Sequence, residues 1–189
     1  MHAVRILLSA AVLASSLPAF AADDILDAID AAREAYQSGD MAKAKQSIDT
    51  ASQLIAQKNA DAFAALLPAP LSGWKAEKAQ ATAVGAAMFG GASAASRTYT
   101  NAKGDTVEVS ITGDSAMIMQ FGPMLKNPAL TGAMGKLVRV GDQRAIQTSD
   151  GDIMMLVANK ILVHVQGSAE APAKLSYAQA VDVTKLSKM

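Results

Sequence analysis

The sequence predicts an α+β protein. An N-terminal antiparallel helical hairpin is followed by a mainly antiparallel sheet of five to six strands, with an inserted broken helix and a C-terminal helix. Two observations support this class. Between residues 23 and 67, apolar side chains recur every three or four residues, which is the period of a helix. From residue 95 onward, short segments alternate apolar with polar residues and are separated by tight turns, which is typical of antiparallel strands.

Residues 1–21 have the pattern of a secretory signal peptide. Arg5 precedes an apolar run from Ile6 to Leu17, Pro18 ends the run, and residues 19–21 read Ala-Phe-Ala, an A-x-A cleavage site. The run is shorter than the roughly 20 apolar residues that a membrane-spanning helix needs. We therefore expect cleavage near Ala21 and a soluble periplasmic protein whose mature chain has no transmembrane segment.

The composition excludes several chemistries. The 189 residues include no cysteine, which rules out disulfides, thiolate nucleophiles and Cys-ligated zinc. The chain carries 17 basic and 17 acidic residues without a basic cluster. Proteins that bind nucleic acid usually show such a cluster. We expect no nucleic-acid partner, and no motif in the sequence indicates a cofactor.

Residues 22–67 are predicted to form two helices. Their apolar positions are Ile25, Ala28, Ile29, Ala32 and Tyr36 in the first helix, and Ala44, Ile48, Ala51 and Ile55 in the second. Between them, Gly39 suits the left-handed position after a helix, and Asp40 suits the N-cap of the next. Pro68 ends the second helix and opens a linker over 68–73.

The hairpin resembles a single tetratricopeptide repeat. Small alanines where the helices cross and a Gly-Asp turn carry the resemblance, at Ala35, Tyr36, Gly39, Asp40, Ala44, Ile48 and Ala51. It implies two closely packed antiparallel helices. A single unit does not build the concave peptide groove of repeat arrays, so no binding residues follow from it. In the order of its elements, the rest of the chain resembles small secreted bacterial α+β proteins of uncharacterised function.

Residues 74–189 are predicted to form the sheet domain. A weakly patterned edge segment at 75–84 precedes strands at 95–100, 106–112, 136–140, 144–149, 153–157 and 161–166. A helix broken by Gly-Pro and Asn-Pro steps is expected over 116–134, and a C-terminal helix over 175–186. The continuous apolar run 154–157 predicts a strand covered on both faces, and residues 150–152 (Asp-Gly-Asp) predict a hairpin turn before it.

A Gly-rich segment at 85–93 is the candidate interaction loop. Its glycine spacing fits a phosphate-binding loop, but Gly91-Ala92 stands where that loop requires Lys-Ser/Thr, which excludes nucleotide chemistry. The loop presents Met88 and Phe89 beside Gly90 and Gly91. The apolar pair either docks on a partner or lipid interface, or packs on the protein's own core. The sequence leaves both interpretations open.

Two arginines form a candidate polar surface on the predicted strands. Arg97 and Arg144 either pair with Glu108 or Asp142, or line a polar sheet face. His164, the only histidine after residue 21, is predicted to point away from Val163 and Val165. One histidine without cysteine cannot build a zinc site by itself, and no nucleophile-elbow motif is present to form a triad with it.

We therefore expect a non-enzymatic periplasmic binding or protein-interaction module. Its partner would be another envelope protein, or a second copy through self-association. The alternative is a carrier of a small hydrophobic ligand or lipid, held between sheet and helix with the Met-rich helix at 116–124 as a pliable lid.

Overall fold

A computed structural model describes residues 23–84, 92–113, 118, 127, 132 and 134–189. It confirms the α+β class, with a helical hairpin, an antiparallel sheet and C-terminal helices. Several predictions lie outside the described residues. They are the signal peptide, the loop at Met88–Gly91, and nearly all of the broken helix, including the proposed lid at 116–124.

The helical hairpin consists of α1 (Asp24–Gln37), which Asp23 caps, and α2 (Met41–Leu66), which begins at the predicted cap Asp40. The Asp23 carboxylate accepts a hydrogen bond from the amide of Ile25, and the Asp40 carboxylate accepts one from Lys43. Gly39 has φ +83°, the left-handed conformation that glycine adopts without steric cost. At 1.5 Å per residue, α2 is roughly 39 Å long and extends well beyond α1.

The C-terminal helix differs from the prediction of one helix over 175–186. It begins earlier, as α3 (Ala171–Ala180), and a short α4 (Val183–Leu186) follows. Pro172 lies in the first turn of α3 rather than in a linker, because a proline there removes no intrahelical hydrogen bond. The break falls at Val181, which is extended, and Asp182 caps α4 by accepting a hydrogen bond from the amide of Lys185.

The sheet contains eight strands among the described residues: β1 (Trp74–Ala76), β2 (Gln80–Val84), β3 (Ala92–Asn101), β4 (Thr106–Gly113), β5 (Lys136–Val140), β6 (Gln143–Gln147), β7 (Ile153–Val157) and β8 (Ile161–Gln166). Their order is β1-β3-β4-β8-β7-β6-β5, with β2 also paired to β3, and every pairing is antiparallel. The count exceeds the predicted five to six. One reason is that the edge segment at 75–84 forms two short strands, β1 and β2, which share the same side of β3.

One face of the sheet, called here the inner face, carries the core. Strands β4, β7 and β8 each bury alternate residues on it: Val107, Val109, Ile111, Ile153, Met155, Val157, Ile161, Val163 and Val165. Phe63 and Leu67 from the end of α2, and Tyr177 from α3, belong to the same core. On the opposite, outer face, Met154 and Leu156 are only half-buried. The prediction that β7 is covered on both faces is therefore wrong for its outer face.

Candidate interaction surface

The contact between α1 and α2 is made by small residues. The buried side chains along it are alanines: Ala32 and Ala35 on α1, and Ala44 and Ala51 on α2. Alanine lets two helices approach closely, because the distance between helix axes depends on the side chains at the contact. Larger apolar residues beside this contact do not fit between the helices, and they lie at its margin.

Six large apolar side chains lie exposed at that margin. The exposed residues are Leu26 (58%), Ile29 (47%) and Tyr36 (66%) on α1, and Met41 (60%), Ile48 (58%) and Ile55 (43%) on α2. We call these six residues the apolar hairpin face. Singly scattered exposed apolar residues are normal on proteins, but a contiguous group on one side of an element marks an interaction site.

The spacing shows that both helices present these residues on the same side of the hairpin. Ile29 lies three residues before the buried Ala32, and Tyr36 lies four after it. On α2, Met41 and Ile48 hold the same two positions relative to Ala44. About its own helix axis, each of these two pairs of residues is therefore displaced in the same sense from the buried alanines. In an antiparallel pair, the same rotation on each helix leads to the same side of the pair.

The sequence pattern had grouped Ile29, Tyr36, Ile48 and Ile55 with the alanines on single apolar faces. The structure divides each of those faces into a buried alanine row and an exposed row of larger side chains. The signal that separates them is size, since the most deeply buried positions of the contact are alanines.

The rest of α2 attaches the hairpin to the sheet. Its second half packs against β2 and β3, with Phe63 and Leu67 in the shared core. At the end of α2, the Pro68 carbonyl accepts hydrogen bonds from the Tyr99 hydroxyl at 2.6 Å and from Arg97 Nη1 at 3.3 Å. The chain after α2 is therefore held to β3 by two side-chain donors.

Three aromatic rings continue this attachment. The Tyr99 and Tyr177 rings lie 4.3 Å apart between centroids, and Trp74 meets Tyr177 edge-on at 5.4 Å. The Tyr177 hydroxyl accepts a hydrogen bond from the Leu71 amide at 3.2 Å. Burial raises the pKa of Tyr99 to about 12, although the nearby Arg97 opposes this shift by favouring the phenolate. Burial also raises the pKa of Tyr177. Both phenols therefore act as neutral anchors rather than as acid–base groups.

The two predicted polar-surface residues do not come together. Arg97 lies on the inner face of β3, at the end of α2, whereas Glu108 lies on the outer face and accepts a hydrogen bond from Gln166. Of the alternatives that the sequence left open for Arg97, the structure does not show the pairing with Glu108. Arg144 is exposed on β6, which three strands separate from β3, and it lies directly opposite Arg139 of β5. The two arginines consequently do not form one site.

The outer face carries a row of side chains in register across five strands. From β3 to β6 the row reads Ser96, Ser110, His164, Met154 and Ile146. His164 is thus on the outer face, as predicted. The Ser110 hydroxyl donates to the backbone carbonyl of His164 at 3.4 Å, so it supports the strand pairing. Within the described part of the chain, no three His, Cys, Asp or Glu side chains are grouped to hold a metal ion.

The predicted turn at 150–152 is confirmed and contains an ion pair that the sequence did not suggest. Gly151 has φ +80°, and Lys174 of α3, nearly fully buried, donates to the Asp150 carbonyl at 2.8 Å and to Asp152 Oδ1 at 2.6 Å. The turn therefore has Lys174 as its cationic partner. The available signal in the sequence was that Lys174 lies three residues before Tyr177, so that both side chains lie on one face of a helix.

A small pocket opens one helical turn beyond the apolar hairpin face. It lies between α2 and the turn joining β7 to β8, and its lining residues are Asn59, Phe63, Lys160, Ile161 and Met189. Its volume is about 60 Å³. Clefts that bind small organic ligands usually measure roughly 300–1,000 Å³. This pocket can hold a water molecule or two, but it gives no support to the carrier alternative.

No family model, curated protein or solved structure matches this chain. Among the helices of the described segments, none combines the length and apolarity needed to cross a membrane.

Proposed function

We propose that the protein is a non-enzymatic periplasmic interaction module that binds a protein partner through the apolar hairpin face. The observation behind this proposal is the combination of six exposed apolar side chains on one side of the hairpin with an alanine contact beneath them. Each of these side chains is about half exposed to water, and a partner would bury the exposed part. Burial of such surface is the main favourable term in protein association.

The edges of the face have the character of an interface rim. Asp30 pairs with Arg33 at 3.1 Å on α1, and Lys45 pairs with Asp49 at 2.6 Å on α2. All four side chains are solvent-exposed. An apolar centre surrounded by charged, hydrated side chains is the usual anatomy of protein–protein interfaces. The chemistry therefore favours a protein partner with its own apolar patch and mixed charges around it.

The periplasmic location is part of the proposal and is supported by the sequence of residues 1–21. Intact-mass analysis of the protein isolated from its host's envelope fraction tests it. We expect a chain that begins at Ala22. A mass that includes residues 1–21, or recovery of the protein only from the cytoplasm, would contradict the location.

Site-specific photocrosslinking in living cells tests the interaction surface. A photoreactive residue replaces Ile48 in the centre of the face, and the matched control replaces Leu137 on β5, which is similarly exposed at 51%. We expect a discrete protein adduct from position 48 and none from position 137. The adduct should disappear when Ile29→Glu is added. Equal labelling at both positions, or none at position 48, would reject the apolar hairpin face as the binding surface.

A further inference from the structure

We propose that the occupant of the apolar hairpin face is a second copy of this chain, so that two hairpins form a four-helix contact. In this dimer, α1 of each copy packs on α2 of the other. The inference rests on the proposed function, since it names the partner of the same surface. Three properties of the face support it: matched spacing, sufficient area, and charges of opposite sign on the two helices.

The spacing of the large residues makes the face complementary to itself. Ile29 and Tyr36 are seven residues apart, and so are Met41 and Ile48. Seven residues correspond to roughly 10.5 Å along a helix. Because Tyr36 and Met41 both lie next to the hairpin turn, Ile29 and Ile48 lie at the same height. When α1 packs on a second copy's α2, Tyr36 meets Met41 and Ile29 meets Ile48, and the two-fold axis repeats both contacts.

The exposed area is sufficient for a dimer. The exposed fractions of the six side chains together equal about three fully exposed large side chains. Aromatic side chains bury about 150–250 Å² each, and with the lower half of that range for these mostly aliphatic residues the exposed part amounts to roughly 500–650 Å² per copy. Two copies would then bury roughly 1,000–1,300 Å² from these residues before the rim is counted, at the lower limit of stable interfaces, which begins near 1,200 Å².

The charges favour this pairing of helices over the alternative two-fold arrangement. Helix α1 carries four acids and one base, a formal charge of −3, from Asp24, Asp27, Asp30, Glu34 and Arg33. Helix α2 carries Lys43, Lys45 and Lys58 against Asp49 and Asp61, a formal charge of +1. Packing α1 on α2 of the second copy brings opposite signs together, whereas packing α1 on α1 would bring like signs together.

Sedimentation of the purified protein over the micromolar range tests the dimer. We expect a mass of two chains for the wild type and for the control Leu137→Glu. Ile48→Glu should weaken association at least about tenfold, because each interface would bury a carboxylate without a partner. A circular-dichroism melt confirms that each variant is folded. A wild type that stays monomeric over the whole range would overturn the proposal.

Cysteine crosslinking tests which helices meet. The natural chain has no cysteine, so Ile29→Cys and Ile48→Cys each introduce a single thiol. We expect a disulfide-linked dimer when the two variants are mixed and oxidised, and almost none from either alone. Efficient linkage of Ile29→Cys to itself would show α1 packed on α1 and would overturn the arrangement.

The two proposals fail in different ways. A monomeric wild type that still gives a position-48 adduct containing a different protein would overturn the dimer but leave the interaction surface intact. A wild type that dimerises unchanged when Ile48→Glu is present would overturn the use of this face by a second copy. Absence of both the adduct and the dimer would reject the apolar hairpin face altogether.

Discussion

The Tyr99 hydroxyl is predicted to contribute measurably to the attachment of the hairpin to the sheet. Tyr99 is fully buried and donates to the Pro68 carbonyl at 2.6 Å. In Tyr99→Phe, that carbonyl keeps only the longer 3.3 Å bond from Arg97. A buried hydrogen bond contributes about 0.5–1.5 kcal/mol net, and a poorly satisfied buried acceptor costs about 1–3 kcal/mol. Because Arg97 compensates in part, we expect a loss of about 1–2 kcal/mol.

Urea unfolding followed by tryptophan fluorescence measures this loss, since Trp74 lies against the same aromatic cluster. The control is Tyr36→Phe, measured at a protein concentration low enough for the protein to be monomeric, because the Tyr36 side chain is then largely exposed to water. We expect the control to change the free energy of unfolding by less than about 0.5 kcal/mol. Equal stability of Tyr99→Phe and wild type, with unchanged dependence on urea, would refute the view that this hydroxyl anchors α2.

Three further perturbations follow from the same structure. Because burial raises the pKa of Tyr99 to about 12, the folded state holds this proton more tightly than the unfolded state; its contribution is present below pH 10 and is lost between pH 10 and about 12. This loss, up to about 2–3 kcal/mol in alkaline urea titrations, should be smaller in Tyr99→Phe. Lys174→Met should lower the free energy of unfolding by about 2–4 kcal/mol, because it removes the cation from a largely buried ion pair. Lys45→Met, at an exposed ion pair, should lower it by less than about 1 kcal/mol, and a similar loss of stability in both variants would contradict this reasoning. Gly113→Ala should cost about 1–3 kcal/mol, since the added Cβ would lie 2.6 Å from the Phe63 ring, and Phe63→Leu in the same chain should recover part of it. Failure of that recovery in thermal unfolding would show that the contact is not the cause.

Local patterns in the sequence predicted the fold class and the helical hairpin well. The cap at Asp40 and the left-handed Gly39 depend on neighbouring residues only, and the structure confirms both. The C-terminal helix was less predictable. Whether Pro172 precedes or begins a helix depends on where the chain docks on the sheet, and residues near a proline do not contain that information.

Contacts between distant residues could not be predicted. The sequence left Arg97 either paired with an acidic side chain or lining a polar face, yet its partner is a backbone carbonyl 29 residues earlier. Lys174 lies just before the predicted C-terminal helix, and only the fold shows that its ammonium group donates to Asp152. The apolar hairpin face was missed for a different reason. Periodicity groups large and small apolar residues together, and it does not indicate which of them fit between two helices.

Helix α2 links the proposed interface to the sheet through two different faces. Ala51 packs against α1, and Ala60, nine residues later, is buried on the side of the sheet. Nine residues at 3.6 per turn are two and a half turns, so these alanines point in opposite directions from one helix. The helix is continuous from Met41 to Leu66, and its end is held by the bonds to Pro68. The apolar hairpin face therefore keeps a fixed orientation relative to the sheet. A dimer formed through that face would hold two sheets at a defined spacing, which a hairpin on a flexible tether could not do.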